Sequence, residues 1–503
     1  MGFLNSLLLL ISFALEHAIA SPARSNVNIT RSFSLSPPRS PRAEKQMHDA
    51  DYHSFSIEFC YMADYGGNDT HPNTFSRQVV QNLKDIAGKS PLFRVGGSTQ
   101  NSAVYYPDQS EAIISPFSSD AATQPSHSYL GPSFMQSFNQ FPEGSQYIYG
   151  LNFYNPTNET LFNVGDGLAQ CVLEANAAYS AIGDALYGFE IGNEVDGWPG
   201  GQRRPANWTL QDYVDQWNYY AKVISQNLTG SDSLQIFQGC AFEAPRDVFD
   251  STAWNVANAE ADGMRSNMAK ALTKIQYMGA NCHYTGVGPT IETSIFDRTN
   301  VLSRVWYHDY LGNETAKSGI PYVLGETNSI SCQGAANISD VMAAAVWAVD
   351  YVLYLSSLRF VATRVIQRYS PQVFPIYYAA LFNAHVFAGG NKQTEVLVNG
   401  TDFGAYAVYG SGKLESIVAV NLAMWNSTFD QQERPYTVLE LPNGWESAKV
   451  SRLTSPGVEI ATNITLGGQS VNEKGVIVGD KLHEKAQGRR VLVGAGEAVL
   501  VQK

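Results

Sequence analysis

Between residues 55 and 368 the chain repeats one pattern eight times, a short apolar run followed in most cases by a stretch with helical spacing. The runs fall at residues 55–61, 92–96, 147–153, 188–193, 234–240, 275–282, 322–325 and 362–368. Runs this short and this apolar read as strands buried on both faces, which is what a parallel sheet requires. Strands alternating with helices make βα units, and eight of them close a (β/α)8 TIM barrel, an α/β fold. The clearest helix spans residues 209–228, where Leu210, Tyr213, Trp217, Tyr220 and Ile224 recur at three- and four-residue steps. Thr209 caps it, and Asp212 in the first turn suits the positive end of its dipole. A second, over 339–360, is apolar nearly all round and should be buried.

Past about residue 388 the text changes. Alternating segments at 394–398, 404–409, 415–421, 436–441, 491–493 and 498–501 are broken by Gly, Asn and Pro, the signature of a β-sandwich. Residues 27–33 alternate in the same way and should form an edge strand paired with a sheet elsewhere. The expected division is a signal peptide over 1–20, an N-terminal strand and linker over 21–50, a catalytic barrel over 51–385 and a C-terminal β-sandwich domain over 386–503.

The signal peptide rests on the apolar stretch 7–15 followed by Ala18-Ile19-Ala20. Glu16 and His17 make the stretch too short for a membrane anchor, and the last residues lack the hydrophobic tail of a lipid-anchor signal. A secreted, extracellular protein follows, and it gives meaning to ten Asn-x-Ser/Thr triplets, at Asn28, Asn68, Asn158, Asn207, Asn227, Asn313, Asn337, Asn399, Asn426 and Asn463. The five cysteines are too few for a disulfide scaffold and show no metal-ligand spacing, so one or two bridges are the most expected. A net charge of -13 argues against nucleic acid as a partner. No metal or cofactor is implied, and the oligomeric state is not legible.

Two of the apolar runs end in the same way. Tyr187-Gly188-Phe189-Glu190-Ile191-Gly192-Asn193-Glu194 and Pro321-Tyr322-Val323-Leu324-Gly325-Glu326 each deliver a glutamate to a strand end. A glutamate after a strand is by itself more often a solvated loop residue. These two follow strands four and seven of eight, however, and strand ends are where a barrel keeps its chemistry. Retaining glycosidases need one carboxylic acid to protonate the leaving oxygen and one carboxylate to attack the anomeric carbon. Glu194 is the expected acid and later base, Glu326 the nucleophile, and Asn193 a partner for the sugar 2-hydroxyl. Glu190, four residues before Glu194 and on the same strand face, reads as a buried partner for Arg94. Glu243 and Asp196 read as loop acids.

Phe189-Glu190-Ile191-Gly192-Asn193-Glu194 and Leu324-Gly325-Glu326-Thr327-Asn328-Ser329 resemble the acid/base and nucleophile motifs of glycoside hydrolase family 79. That family, in the retaining clan A, holds β-glucuronidases and the heparanases. Phe93-Arg94-Val95-Gly96-Gly97-Ser98 and Cys282-His283-Tyr284 are similar to it as well, over residues 50–380 or so, with a matching β-rich tail. The resemblance implies that Tyr284 hydrogen-bonds the nucleophile and holds it ionised. It implies too that Ser98 or Thr99, with the turn Ser331-Cys332-Gln333-Gly334, binds the glucuronate ring and its carboxylate. The family's turn has adjacent glycines where this chain has Cys332 and Gln333. Glu58 stands where related enzymes carry a sugar-contacting acid.

The expectation is a secreted, retaining exo-β-glucuronidase that removes terminal glucuronic acid, with or without a 4-O-methyl group, from glycans. An endo-acting, heparanase-like enzyme needs a cleft lined with Lys and Arg. Only 33 of 503 residues are basic, and Arg203-Arg204 is the one basic doublet near the site loops, Arg489-Arg490 lying in the tail. A non-catalytic carbohydrate-binding protein is the remaining alternative, and the presence of both glutamates speaks against it. The expected pH–rate profile is bell-shaped and acidic, with the acid's pKa raised by the charge of Glu326.

Overall fold

A computed structural model describes residues 27–42, 45–119, 124–243, 248–282, 288–358, 362–366 and 373–503. The expected signal peptide, His283 and Tyr284 lie outside the described residues. The barrel strands are β1 (His53–Glu58), β2 (Leu92–Gly96), β3 (Gln146–Leu151), β4 (Leu186–Ile191), β5 (Phe237–Phe242), β6 (Ala269–Ala280), β7 (Tyr322–Ser331) and β8 (Ala362–Ile366). Each pairs in parallel with the next, and β8 closes on β1, so the barrel runs in sequence order.

The strand limits depart from expectation for identifiable reasons. The first run stops as a strand at Glu58, and Phe59–Tyr61 turns into a single helical turn. β6 begins earlier than the pattern suggests because Lys270 and Lys274 interrupt the apolar run without ending the strand. Lys270 lies over the Tyr187 ring and donates to the Tyr187 carbonyl at 2.7 Å. Lys274 is buried and donates to the carbonyls of Phe242 at 3.2 Å, Ile275 at 2.5 Å and Glu243. β7 does not end at Gly325 either, since its pairing with β6 continues to Ser331. Glu326 therefore sits within its strand, not after it.

The helix Leu210–Thr229 forms as its spacing requires. Thr209 and Asp212 cap it reciprocally, and Tyr213, Trp217, Tyr220 and Ile224 are buried against the barrel. The helix Met342–Ser356 is buried on every residue but Tyr354, because one side meets the barrel and the other the C-terminal sheet. That sheet orders Lys392–Asn399, Phe403–Gly410, Lys413–Asn421, Glu497–Gln502, Lys449–Thr454 and Thr465–Leu466. A smaller sheet pairs Ile29–Ser34 in parallel with Tyr436–Glu440, which runs antiparallel to Arg490–Gly494. Leu35, Phe403, Ile417, Leu439, Trp445 and Val501 fill the core between the two sheets. The start of the described chain is thus sealed into a sandwich otherwise made from its end.

Barrel and sandwich are joined by a buried network. Arg298 donates to Asp350 at 2.8 Å, to Asn399 at 2.6 Å and to the Tyr406 hydroxyl at 2.9 Å, while Tyr406 donates to Asp350 at 2.6 Å. Among the described residues no helix is long and apolar enough to cross a membrane. Of the glycosylation triplets, Asn28, Asn158, Asn207, Asn227, Asn337, Asn399 and Asn463 are exposed. Asn313 keeps its Oδ1 buried without a partner, and Asn399 is engaged by Arg298.

Candidate active site

The site is organised around one guanidinium. Arg94 projects from β2 and is 1% exposed. It donates twice to Glu190 on β4, once to Glu326 on β7, at 2.7 Å to Asn193 Oδ1 and at 3.3 Å to Ser56 on β1. Gln238 on β5 donates to the other oxygen of Glu190. A charge this deeply buried is tolerable only with its donors satisfied, and here they are. The Arg94–Glu190 pair expected from the sequence is present, and Glu326 joins it.

Glu326 is 8% exposed. One of its oxygens accepts from Arg94, and the other accepts from the Tyr277 hydroxyl at 2.6 Å. Burial, and the Glu326 charge after it, hold the Tyr277 phenol well above its ordinary pKa, so it stays a donor. The tyrosine beside the expected nucleophile is thus Tyr277, on β6, whereas Tyr284 lies outside the described residues. Sequence reasoning missed Tyr277, which lies inside the expected strand 275–282, because the resemblance placed the tyrosine past the strand end at Tyr284.

Glu194 follows β4 with φ 51° and ψ 41°, a left-handed conformation in which a glutamate is strained. Its backbone N–H donates to the Ala241 carbonyl at 2.7 Å, which ties the turn to β5. Its carboxylate accepts from Asn193 Nδ2 at 3.1 Å and from the Ser98 hydroxyl at 3.4 Å. The Glu194 pKa is raised to about 8. Burial is the main cause, followed by the charges of Glu326, Glu243 and Asp196, with Arg94 opposing. The sequence reading named Glu326 as the source of the shift; burial outweighs it.

Asn193 is buried and holds both its neighbours, accepting from Arg94 and donating to Glu194. Its own backbone is gripped by Asn101, which accepts from the Asn193 N–H at 3.1 Å and donates to its carbonyl at 2.9 Å. The asparagine expected to meet the sugar therefore also couples the two carboxylates through Arg94.

Glu58, at the end of β1, accepts from the Thr99 N–H at 2.8 Å and the Thr99 hydroxyl at 2.6 Å. A side chain at Gly97 would place its Cβ 2.5 Å from Glu58 Oε2, so the second glycine of Gly96-Gly97 makes room for this carboxyl. Glu58 is pushed up to about 7, chiefly by burial and then by the charge of Glu326. Thr99 is thereby occupied with Glu58 and buried, while Ser98 is exposed and aimed at Glu194. Lys274 is pushed down to about 7 by burial, with Asp196, Glu243 and Glu194 opposing.

Ser331 ends β7, and Cys332, Gln333 and Gly334 follow with φ of 59°, 69° and 86°. A disulfide from Cys332 to Cys282, just past β6, holds this turn with a Cα–Cα distance of 5.5 Å, and Cys60, Cys171 and Cys240 are buried and free. The turn stands at the same mouth of the barrel as Glu194, where the C-terminal ends of the strands open.

The comparisons with known proteins bear on this arrangement. A β-glucuronidase of Aspergillus niger (strain ATCC MYA-4892) is 30% identical over 492 residues, covering 89% of this chain and 86% of that protein. The chain belongs to glycoside hydrolase family 79. A β-glucuronidase of Neurospora crassa is 27% identical, covering 84% of each chain. Residues 405–500 match the family 79 C-terminal beta domain. The barrel and the sheets that follow it superpose on a family of known folds. A 4-O-α-L-rhamnosyl-β-D-glucuronidase from Fusarium oxysporum 12S matches with a TM-score of 0.79 at 21% identity, over 94% of this chain and 100% of that one. An α-L-arabinofuranosidase of family 51 from Thermotoga petrophila RKU-1 gives 0.58 at 12% identity, over 93% and 99%. As a family 79 member the protein is a glycoside hydrolase.

Proposed function

We propose that this glycoside hydrolase is a secreted, retaining exo-β-glucuronidase, with Glu194 as acid and base and Glu326 as nucleophile. One observation carries the reading: two carboxylates from β4 and β7 are tied to the same Arg94, directly or through Asn193, and one of them keeps its proton to about pH 8. The β-glucuronidase relatives supply the sugar.

In this reading Glu326 attacks the anomeric carbon while Glu194 gives its proton to the departing glycosidic oxygen, leaving a glucuronosyl ester on Glu326. Glu194, now a carboxylate, takes a proton from water, the water attacks the same carbon, and the ester bond returns its electron pair to Glu326. Two inversions leave the configuration retained. Arg94 and Tyr277 keep the Glu326 oxygens in place throughout, a preorganised pair of donors. The turn Ser331, Gln333 and Gly334 offers backbone N–H groups to the glucuronate carboxylate. Ser98 and Asn193 face the sugar beside the acid.

The anionic substrate must enter a protein of net charge -13. Glu58, held up to about 7, is neutral at acidic pH and so does not repel it there. Cations near the two carboxylates are committed internally: Arg94 to Glu190, Glu326 and Asn193, and Lys274 to backbone carbonyls. That supports exo action on a terminal sugar over a basic track for a sulfated polymer.

The test is release of p-nitrophenol from p-nitrophenyl β-glucuronide, with the β-glucoside and β-galactoside as controls. Wild type should turn over only the glucuronide, and Glu194→Gln and Glu326→Gln should each lose about 10²–10⁴-fold or more in kcat. The alkaline limb of kcat/KM should lie near pH 8, where free Glu194 loses its proton. Hydrolysis of the glucoside alone would overturn the sugar assignment, and full activity in either variant would overturn the mechanism.

A further inference from the structure

The doublet Arg203-Arg204 is divided by the fold. Arg204 is buried beneath Phe153, Trp198 and Trp208, and donates to the carbonyls of Phe153 and Tyr154 at 3.1 and 3.2 Å. It serves the packing of its loop. Arg203 does something else. Its guanidinium lies 5.1 Å from the ring centroids of both Phe162 and Trp198, and it donates to the Asn101 carbonyl and, at 3.5 Å, to Asn152 Oδ1. Among the described residues it makes no ion pair; Glu159 attracts it without contact. Arg203 lines a cleft of about 480 Å³ together with Ser102, Ser126, His127, Gln202 and Leu161.

The position of this cleft decides its meaning. Gly197, three residues past Glu194 on the same turn, is part of its wall. From Arg203 the connection back to the acid is short: Arg203 to the Asn101 carbonyl, Asn101 to the Asn193 backbone, Asn193 to Glu194. An acid that protonates a glycosidic oxygen stands on the side from which the leaving group departs, and this cleft shares a wall with the turn that carries Glu194. The lining matches a sugar better than an apolar aglycone. It offers guanidinium, imidazole, amide and hydroxyl groups, while the Phe162 and Trp198 faces are already covered by Arg203.

Resting on the glucuronidase reading, we infer that this cleft is the subsite for the sugar to which the glucuronic acid is attached, with Arg203 as the group that selects it. Arg203 donates to the acceptor oxygens of that second sugar, and among the described residues no ion pair competes for its charge. The stacked rings hold the guanidinium flat and spare it much of the entropy a free arginine loses on binding.

The experiment compares kcat/KM for β-linked glucuronosyl disaccharides having glucose, galactose or xylose as the second sugar with that for p-nitrophenyl β-glucuronide. The ratio for the best-cleaved disaccharide should fall at least tenfold in Arg203→Gln, mainly through KM. Leu161→Trp, a change at a residue 40% exposed on the cleft mouth, should lower the same ratio by filling the cleft without disturbing the core. A purely structural Arg203 lowers both rates together and leaves the ratio unaltered, which would overturn the inference. So would an unaltered ratio in Leu161→Trp, or failure to cleave all three disaccharides while the p-nitrophenyl substrate is turned over. Absence of turnover on every glucuronide, in contrast, would sink the glucuronidase reading itself.

Discussion

At the barrel mouth two carboxylates, Glu190 and Glu326, share one guanidinium; in the C-terminal sandwich one carboxylate, Glu497, has two. Glu497 lies 2.6 Å from Arg452 and 3.4 Å from Arg434, and it also accepts from Thr454 and the Gly494 N–H. Its pKa is lowered by these arginines despite its burial. At the mouth, Glu58 and Glu194 stand beyond direct reach of Arg94, and burial pushes them up to about 7 and about 8. Burial is common to both regions, so what separates them is the supply of cations. The sandwich spends its arginines on holding sheets together, while at the mouth Glu194 has no arginine in contact to offset its burial.

The pH consequences have opposite signs. A carboxyl whose folded pKa is raised contributes stability fully present below its ordinary value near 4.5, and lost as pH rises through the folded value. Glu58, Glu194 and Glu174, the last raised to about 8 by burial, all behave this way over roughly pH 4.5 to 8. Glu497 contributes stability that is present above about 4.5 and lost as pH falls through its lowered pKa. His53, buried and lowered to about 3, also loses stability on the acid side, below its ordinary 6.5. The protein should be most stable in mildly acidic solution.

The comparison breaks most visibly at its shared cation. Arg94→Met leaves Glu190 and Glu326 buried with no positive partner and should remove about 3–5 kcal/mol of stability, read by urea unfolding. A loss below about 1 kcal/mol would mean that the mouth does not depend on Arg94. Next comes Glu174→Gln, which keeps an acceptor for the Tyr149 hydroxyl, now 3.0 Å from Glu174, but removes the titration. The variant should match wild type near pH 4.5 and exceed it by on the order of 3 kcal/mol at pH 7, since each pH unit across the shift is worth about 1.4 kcal/mol. Identical melting curves at both pH values would refute the role given to that carboxyl. The smallest effect belongs to Glu497→Gln. Arg452 keeps Glu484, and Arg434 keeps the Ala495 and Ser455 carbonyls, so about 1–2 kcal/mol should be lost at pH 7 and less at pH 3. A loss that does not shrink on acidification would contradict the sign assigned to Glu497.

Much of this was legible in the sequence where periodicity and chemistry agree. Glu194, Glu326 and the Arg94–Glu190 pair lie on apolar runs whose alternation points them one way, and the 27–33 edge strand announced itself by the same alternation. Tyr277 and Lys274 were not legible. Tyr277 lies inside the expected strand while the resembling motif pointed past its end to Tyr284, and a lysine inside a strand satisfied by three carbonyls looks like a break until its partners are known. The Cys282–Cys332 bridge lay hidden among the pairings that five cysteines allow.

The central assignment, Glu326 as nucleophile and Glu194 as acid, is tested most directly by trapping the ester. A 2-deoxy-2-fluoro glucuronosyl fluoride should inactivate the enzyme in a time-dependent way, and digestion with mass spectrometry should place one glucuronosyl adduct on the peptide bearing Glu326. An adduct on Glu58, Glu190 or Glu194, or steady turnover of the reagent with inversion of configuration, would contradict the account.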